Sequence, residues 1–593
     1  MRKSKFKTRS DENGTYLIVN GKSRQFANFS AKVVKETAEI GLDGVIRRYV
    51  TIQVRLKGEI KEFEVSHSDF EDLSWIGQYL GLDAKVDFHA ASKATFVAAI
   101  IKASKERQKI CKNKRLGYQM LGNQLYFVYH GGSIPADGNN NESIVAEVDG
   151  ALKHCQFPSL GSDDNASELV RKILDVAKIM PNNPFVGTLL LAGVFRAVLN
   201  KLKLVEVIAY LVGKTGSGKT TAALIAQACF GSGFKKPPTS WESTPKSIEL
   251  TALAASCIVL LIDDFTKVHN DKSALPVIEN IIGAVGNGVS RGFALSSTQN
   301  SNGAAIEAFP IMTGESIPDV MIDSRKARTC FAWISSEGDF DKTVIGEFQK
   351  HAADGEYAKA MSLYIAYVLQ NFNRIGEEIE GVFDRYRREA MAKLDEGLHA
   401  RAPSNYADLM LGFHYFLKFC IDANFLTKQE AKMLRQYHSD NLMQMINMQP
   451  IIHQTQDIKH LVLVSMSKYI RSDQFSLVNV TSGKKQISRD QYPKCFIGWV
   501  DHDKETLYIK ADCGRKLIAN LPEDIRKVMS AGEKAFWKDA YRFGLLAEID
   551  QKNGRNVVRK RINGEVERVY SMVYSLMYTH HDSPLKPKSK KAI

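Results

Sequence analysis

Gly213-Lys214-Thr215-Gly216-Ser217-Gly218-Lys219-Thr220 has the spacing of a phosphate-binding loop. A largely apolar run, Val205 to Val212, precedes it, and an Ala-rich helical stretch, Thr221 to Cys229, follows. This strand–loop–helix order gives the eight residues their meaning. Gly213, Gly216 and Gly218 let the backbone bend until successive N–H groups face phosphate oxygens. The helix that begins near Lys219 adds its positive end. Lys219 is expected to reach the β- and γ-phosphates and Thr220 to ligate Mg²⁺. The stretch from Gly213 through Thr221 is thus the expected site for ATP and Mg²⁺, Lys214, Thr215 and Ser217 included.

A second signal lies downstream. Ile258 to Ile262 is an apolar strand ended by Asp263 and Asp264. Asp263 is expected to hold Mg²⁺ through water. Asp264 stands where many such ATPases carry Glu to polarise the attacking water, and Asp is one methylene shorter. The strand Phe309 to Thr313 offers Thr313 as a γ-phosphate sensor or as a simple turn residue. Asp323-Ser324-Arg325-Lys326-Ala327-Arg328 precedes another strand, Thr329 to Ile334. An Arg in that place reaches the ATP of a neighbouring subunit. Arg328 is the first choice and Arg325 the alternate, and either makes the protein an oligomer.

The chain has 593 residues, room for several domains. With 44% hydrophobic and 25% charged residues it reads as an ordinary globular protein. Its formal net charge of +14 favours a polyanionic partner, usually nucleic acid. The eight cysteines form no C-x-x-C pair, which argues against zinc and fits a reducing cytoplasm. The basic start, Met1 to Lys7, lacks a following apolar core, so no signal peptide is expected. Phe185 to Leu199 is too short to span a bilayer and reads as a buried helix.

Arg48 to Leu56 and Glu59 to Val65 alternate with period two around Lys57-Gly58, a hairpin signal. Ala91 to Lys109 has helical spacing, and Gly161 to Asn165 is a boundary that supplies an N-cap. The expected architecture is multidomain α/β. Residues 1–165 form an α+β N-terminal domain, 166–345 a P-loop ATPase domain and 346–450 a helical lid or linker. Residues 451–580 form a winged-helix-like domain, and 581–593 a basic tail.

In that last domain, Glu533 to Leu546 has the apolar pattern of an amphipathic helix. A basic strand–turn–strand follows, carrying Lys552, Arg555, Arg559, Lys560 and Arg561. Helix and basic hairpin together outline a winged helix that grips duplex DNA.

Three further stretches carry a resemblance: Trp241-Glu242-Ser243-Thr244, Gly286-Asn287-Gly288-Val289-Ser290-Arg291 and Thr313-Gly314-Glu315. Their order around the acidic strand resembles the domain-of-unknown-function family numbered 927. That family occurs in AAA+ helicases of bacterial mobile elements, including staphylococcal cassette-chromosome and pathogenicity-island replication helicases. Their ATPase core is similar to that of minichromosome-maintenance helicases. The resemblance implies a ring-forming, self-loading replicative DNA helicase, a hexamer acting on single-stranded or forked DNA or an origin duplex, with no membrane partner. Where the family often has Asp-Glu, this chain has Asp263-Asp264. The interval Phe293 to Gly303 corresponds to the family's channel hairpin and has no cation at its tip. Lys267 and Arg291 are the nearest cations that face DNA in this reading, and Arg291 serves the nucleotide in another. An initiator or regulator switched by nucleotide, without unwinding, shares every motif.

Overall fold

The computed structural model describes residues 7–19, 21–90, 92–136, 143–213, 215–266, 275–287, 305–318, 321–334, 342–395, 398–449, 476–481, 488–504, 506–519, 533–542, 546–550 and 555–573. Lys214, Lys267, Arg291 and Lys552, the channel-hairpin interval up to residue 304 and the basic tail lie outside them.

The chain opens with an antiparallel meander, β1 (Lys7–Asp11), β2 (Gly14–Val19) and β3 (Lys22–Ala27). The strands β4 (Phe29–Ile40), β5 (Ile46–Leu56) and β6 (Glu59–Ser66) follow. Alternation along β5 buries Val50, Ile52, Val54 and Leu56 on one face. The turn before β6 places Lys57 at φ 52° and Gly58 at φ 85°, the paired left-handed conformations of a two-residue hairpin. Helix α1 (Lys93–Ala103) covers the sheet, with Phe96 edge-on to Phe26 and Phe29 at 5.3 and 5.6 Å. Its helical spacing extends to Lys109 in sequence, but Gln108 onward pairs with β4 as strand β7 (Gln108–Asn113).

A second meander, β8 (Gly117–Leu121), β9 (Gln124–Tyr129) and β10 (Gly132–Pro135), turns away from this sheet, and β11 (Ile144–Ala146) returns beside β7. From here one hydrophobic core runs from Cys111 to Ile446 and crosses the expected boundaries at 165 and 345. The meander is docked closely: Leu116 N–H donates to Ala254 C=O at 2.9 Å.

The next elements are α2 (Ala166–Asp175), capped by Asn165 as its composition foretold, and α3 (Pro184–Ala197), buried along nearly its whole length. They lead to β12 (Ile208–Gly213), α4 (Lys219–Ala228), β13 (Thr239–Ser240), α5 (Pro245–Ala254), β14 (Val259–Phe265), β15 (Phe309–Gly314) and β16 (Thr329–Ile334). The five strands form a parallel sheet in the order β13-β14-β15-β12-β16. After β12 the chain crosses to the far edge, works back to β15, and then passes β12 to its other side. This reversal opens a crevice at the carboxyl ends of β12 and β15, the ordinary ligand position in such sheets.

Five helices complete the core: α6 (Lys342–Ala353), α7 (Glu356–Gln370), α8 (Phe372–Lys393), α9 (Ala402–Asp422) and α10 (Lys428–Asn447). Helices α9 and α10 lie against α3. Arg196 on α3 and Asp408 on α9 meet at 3.0 Å with almost no exposure. Arg196 also donates to Asn200 and to Lys203 C=O, both at 2.8 Å, and Asp408 accepts Glu206 N–H at 3.2 Å. The buried charges are therefore paired and hydrogen-bonded, the condition for tolerating them. The Gln449 side chain seals the edge of β16 through Phe331 N–H and C=O at 2.9 and 3.0 Å.

The last part contains β17 (Ser476–Asn479), β18 (Phe496–Asp501), β19 (Thr506–Lys510), α11 (Ala511–Ala519), α12 (Glu533–Arg542), β20 (Leu546–Glu548), β21 (Val558–Ile562) and β22 (Glu565–Val573). The sheet order is β17-β18-β19-β22-β20, with β21 on β22. Trp537 of α12 stacks on Tyr570 of β22 at 3.8 Å, and Trp499 and Tyr508 are core residues. Leu546, the end of the expected amphipathic helix, begins a strand instead. Among the described residues no helix is long and apolar enough to cross a membrane, and no His/Cys/Asp/Glu group has the shape of a metal cluster.

Candidate functional site

The glycine-rich loop leaves the carboxyl end of β12 and enters α4 at Lys219. Gly216 and Gly218 adopt φ 81° and 83°, a backbone that side-chain-bearing residues rarely take. Lys219, the first residue of α4, is 5% exposed. Ser217 Oγ is buried with no partner, a polar atom available to a phosphate oxygen. Thr215 and Thr221 flank this cradle.

Asp263 and Asp264 end the neighbouring β14. Asp263 Oδ1 accepts hydrogen bonds from Thr220 Oγ1 at 2.9 Å and Thr313 Oγ1 at 2.5 Å. A hydroxyl and a carboxylate in contact, both oxygen donors, suit Mg²⁺. Thr313 is fully buried at the end of β15, and its Oγ1 also accepts Asp264 N–H at 2.9 Å. The Thr313 hydroxyl is thus engaged by both acids' residues, and it fixes them relative to each other.

Asp264 itself sits at φ 64°, where the β14–β15 register shifts between Ile262 and Phe265. A non-glycine residue there costs roughly 1–2 kcal/mol. The effect is to turn Asp264 out of the sheet into solvent while Asp263 stays 9% exposed. Such strain gathers at functional sites.

The two arginines lie elsewhere. β12 and β16 pair from Ile208↔Thr329 to Gly213↔Ile334, so Arg328 stands at the end of the sheet opposite the loop. Five strand steps separate the two ends, about 17 Å. Arg325 is held by Glu279 at 2.7 Å within the same chain. Arg328 has no carboxylate partner among the described residues, and its Nε is buried without an acceptor. Burial and repulsion from Arg401 and Arg325 hold its guanidinium below its ordinary pKa. The sequence separates these arginines by three positions; the structure separates them by whether an anion is already supplied.

In the last domain Arg559 and Arg561 share the exposed face of β21, and Arg559 stands directly opposite exposed Arg568. Like charges facing each other across strands are unfavourable unless an anion joins them. Lys560 points to the other face, where Glu548 binds it at 2.7 Å. Arg555 is exposed just before β21. Helix α12 adds Lys534, Lys538 and Tyr541 to an exposed stripe at i, i+4 and i+7 spacing. Residue spacing alone marked none of Arg568, Lys534 or Lys538; the hairpin register and the buried Phe536–Trp537 face reveal them.

Among solved structures, one described as SCCmec type IV Cch, active helicase, is 13% identical, with a TM-score of 0.47 over 96% of this chain and 98% of that one. Another, the apo C-terminal region of NrS-1, is 10% identical, with a TM-score of 0.23 over 69% and 86%. No curated protein matches the chain. Residues 82–302 match the family model described as Domain of unknown function (DUF927). That segment takes in the second meander, the glycine-rich loop and both acids, so over these residues the chain is similar to the family its motifs resemble.

Proposed function

We propose that the protein is an ATP-driven DNA helicase with an AAA+ core, working as a self-loading hexameric ring of a mobile element. The observation that carries this reading is the contact chain Thr220–Asp263–Thr313–Asp264 at the mouth of the glycine-rich loop. It brings a Mg²⁺-binding pair and an exposed acid to the crevice where the loop's N–H groups face phosphate.

Bound Mg²⁺ neutralises charge on the β- and γ-phosphates. Lys219 stabilises the same charge from the loop, and Thr220 with Asp263 holds the ion. Asp264 faces solvent, where a water approaches the terminal phosphate. Arg328 supports assembly: its distance from its own loop and its lack of an anion fit a phosphate offered by a neighbouring subunit. The helix α12 with the β21–β22 hairpin fits a winged helix on duplex DNA, its cations reading backbone phosphates.

The test is ATP hydrolysis with and without a forked duplex, together with strand displacement. Wild-type protein is expected to hydrolyse faster with DNA and to unwind the fork, and Lys219→Ala to do neither. Unwinding by Lys219→Ala at the wild-type rate defeats the proposal. DNA-stimulated hydrolysis without displacement replaces it with the nucleotide-switched initiator.

A further inference from the structure

We propose that Glu315 is a second catalytic carboxylate of the nucleotide site, the group that orients and deprotonates the attacking water. The proposal rests on reading the loop as an ATP site.

Glu315 follows the last residue of β15, the strand lying between β14 and β12. Its backbone is pinned on both sides. Its N–H donates to Phe265 C=O at 2.8 Å, and Tyr210 Oη donates to Ser316 C=O at 3.0 Å. Gly314 has no room for a side chain: a Cβ there would lie 2.3 Å from Tyr210 Oη. The Glu315 side chain is exposed, and its carboxylate accepts a hydrogen bond from the Thr215 hydroxyl. No Lys, Arg or His among the described residues forms an ion pair with it.

Thr215 stands on the crest of the loop, away from the Lys219–Thr220 end. Lys219 and Thr220 take the β-phosphate and Mg²⁺, so the terminal phosphate lies between Lys219, the crest and the strand ends. A carboxylate already touching the crest therefore borders that phosphate. Two anions do not meet directly; a water between them satisfies both, donating one proton to Glu315. Asp264 flanks the same space from β14, but with a shorter side chain on a strained, outward-turned backbone. As the water oxygen bonds to the γ-phosphorus, Glu315 takes its proton. The bond from that phosphorus to the β–γ bridging oxygen breaks, and its electron pair leaves on ADP. The proton then passes to the phosphate product or to solvent.

The test compares Glu315→Gln and Asp264→Asn in the full chain. Binding of fluorescent ATP is measured first, then fluorescent ADP with and without aluminium fluoride, then single-turnover hydrolysis. Glu315→Gln is expected to bind ATP within about threefold of wild type. It should lose the tightening of ADP by aluminium fluoride, and hydrolysis should fall by about 100-fold or more. Glu315→Asp should recover part of both. Hydrolysis by Glu315→Gln within threefold of wild type, or tightening by aluminium fluoride as strong as wild type, overturns the proposal. Failure of the wild-type chain to bind ATP at all overturns the underlying reading of the loop, and this assignment with it.

Discussion

Thr313→Val keeps the shape of a fully buried side chain and removes only its hydroxyl. Two hydrogen bonds go with it. The one to Asp263 has a charged acceptor, a class worth about 1.5–3 kcal/mol. The one from Asp264 N–H leaves a donor unserved, at about 1–3 kcal/mol. Asp263 keeps Thr220, and the Asp264 peptide relaxes once its anchor is gone, so the two costs do not add fully. A net loss of about 3 kcal/mol is expected. Unfolding entropy of about 2.1 cal/mol/K per residue, over the roughly 340 residues sharing the core, converts this to a midpoint about 4 °C lower. Scanning fluorimetry reads that shift. Hydrolysis should fall at least tenfold, because both acids lose their mutual alignment, while ATP still binds. Thr313→Ser keeps both bonds and should behave like wild type. If Thr313→Val melts and hydrolyses like wild type, or if the Ser variant is as impaired as the Val variant, Thr313 does not position the acids.

Arg328→Ala should lower hydrolysis by about 10³-fold, whereas mixing it with Lys219→Ala subunits should restore part of the rate, since each supplies what the other lacks; no restoration rules out action in trans. His438 is wholly buried, stacked 4.0 Å from Phe413, and burial pushes its pKa down to about 3. Folding therefore favours the neutral ring: its contribution is complete above the unfolded value near 6.5 and is lost as pH falls from there toward 3. Urea melts should lose on the order of 2 kcal/mol between pH 6.5 and 5, and His438→Phe should flatten that slope. Replacing Arg559, Arg561 and Arg568 together by Ala should reduce the salt dependence of duplex binding by about 0.9 per lost phosphate contact, with an unchanged slope excluding the hairpin from the interface.

Much of the parallel-sheet core around the glycine-rich loop was legible because its signals are local. The apolar runs at Val205–Val212 and Ile258–Ile262 gave strands within a few residues, and Asn165 gave the start of α2. Lys57-Gly58 forced its hairpin through backbone conformation alone. What escaped depended on distant pieces meeting. Glu315 is two residues beyond Thr313, yet its place against Thr215 follows from β15 landing beside β12 after a crossover. Position alone favours Arg328 over Arg325, and only the ion pair with Glu279 shows that Arg325 already has its anion. Ala91–Lys109 looks helical throughout, but the edge of β4 offers Gln108 onward a ladder of hydrogen bonds, and pairing overrides propensity. The period-two alternation that sets Lys560 against Arg559 and Arg561 was present in the sequence, though it gains meaning only once β21 is a strand with one face covered.

The core shared between Cys111 and Ile446 bears on how this chain can be cut and recombined. A fragment beginning at 166 would leave Leu116, Tyr118, Phe127 and Val128 behind and bare the surface of the elements they cover. The front unit closes a core of its own that ends at Ile100, but its strands β4, β5 and β6 share one sheet with β7 and β11. A cut near residue 105 would part β7 from β4 along a ladder of six residue pairs and separate Arg107 from Glu36, so the two cores are tied together by one sheet and exchange only as a pair.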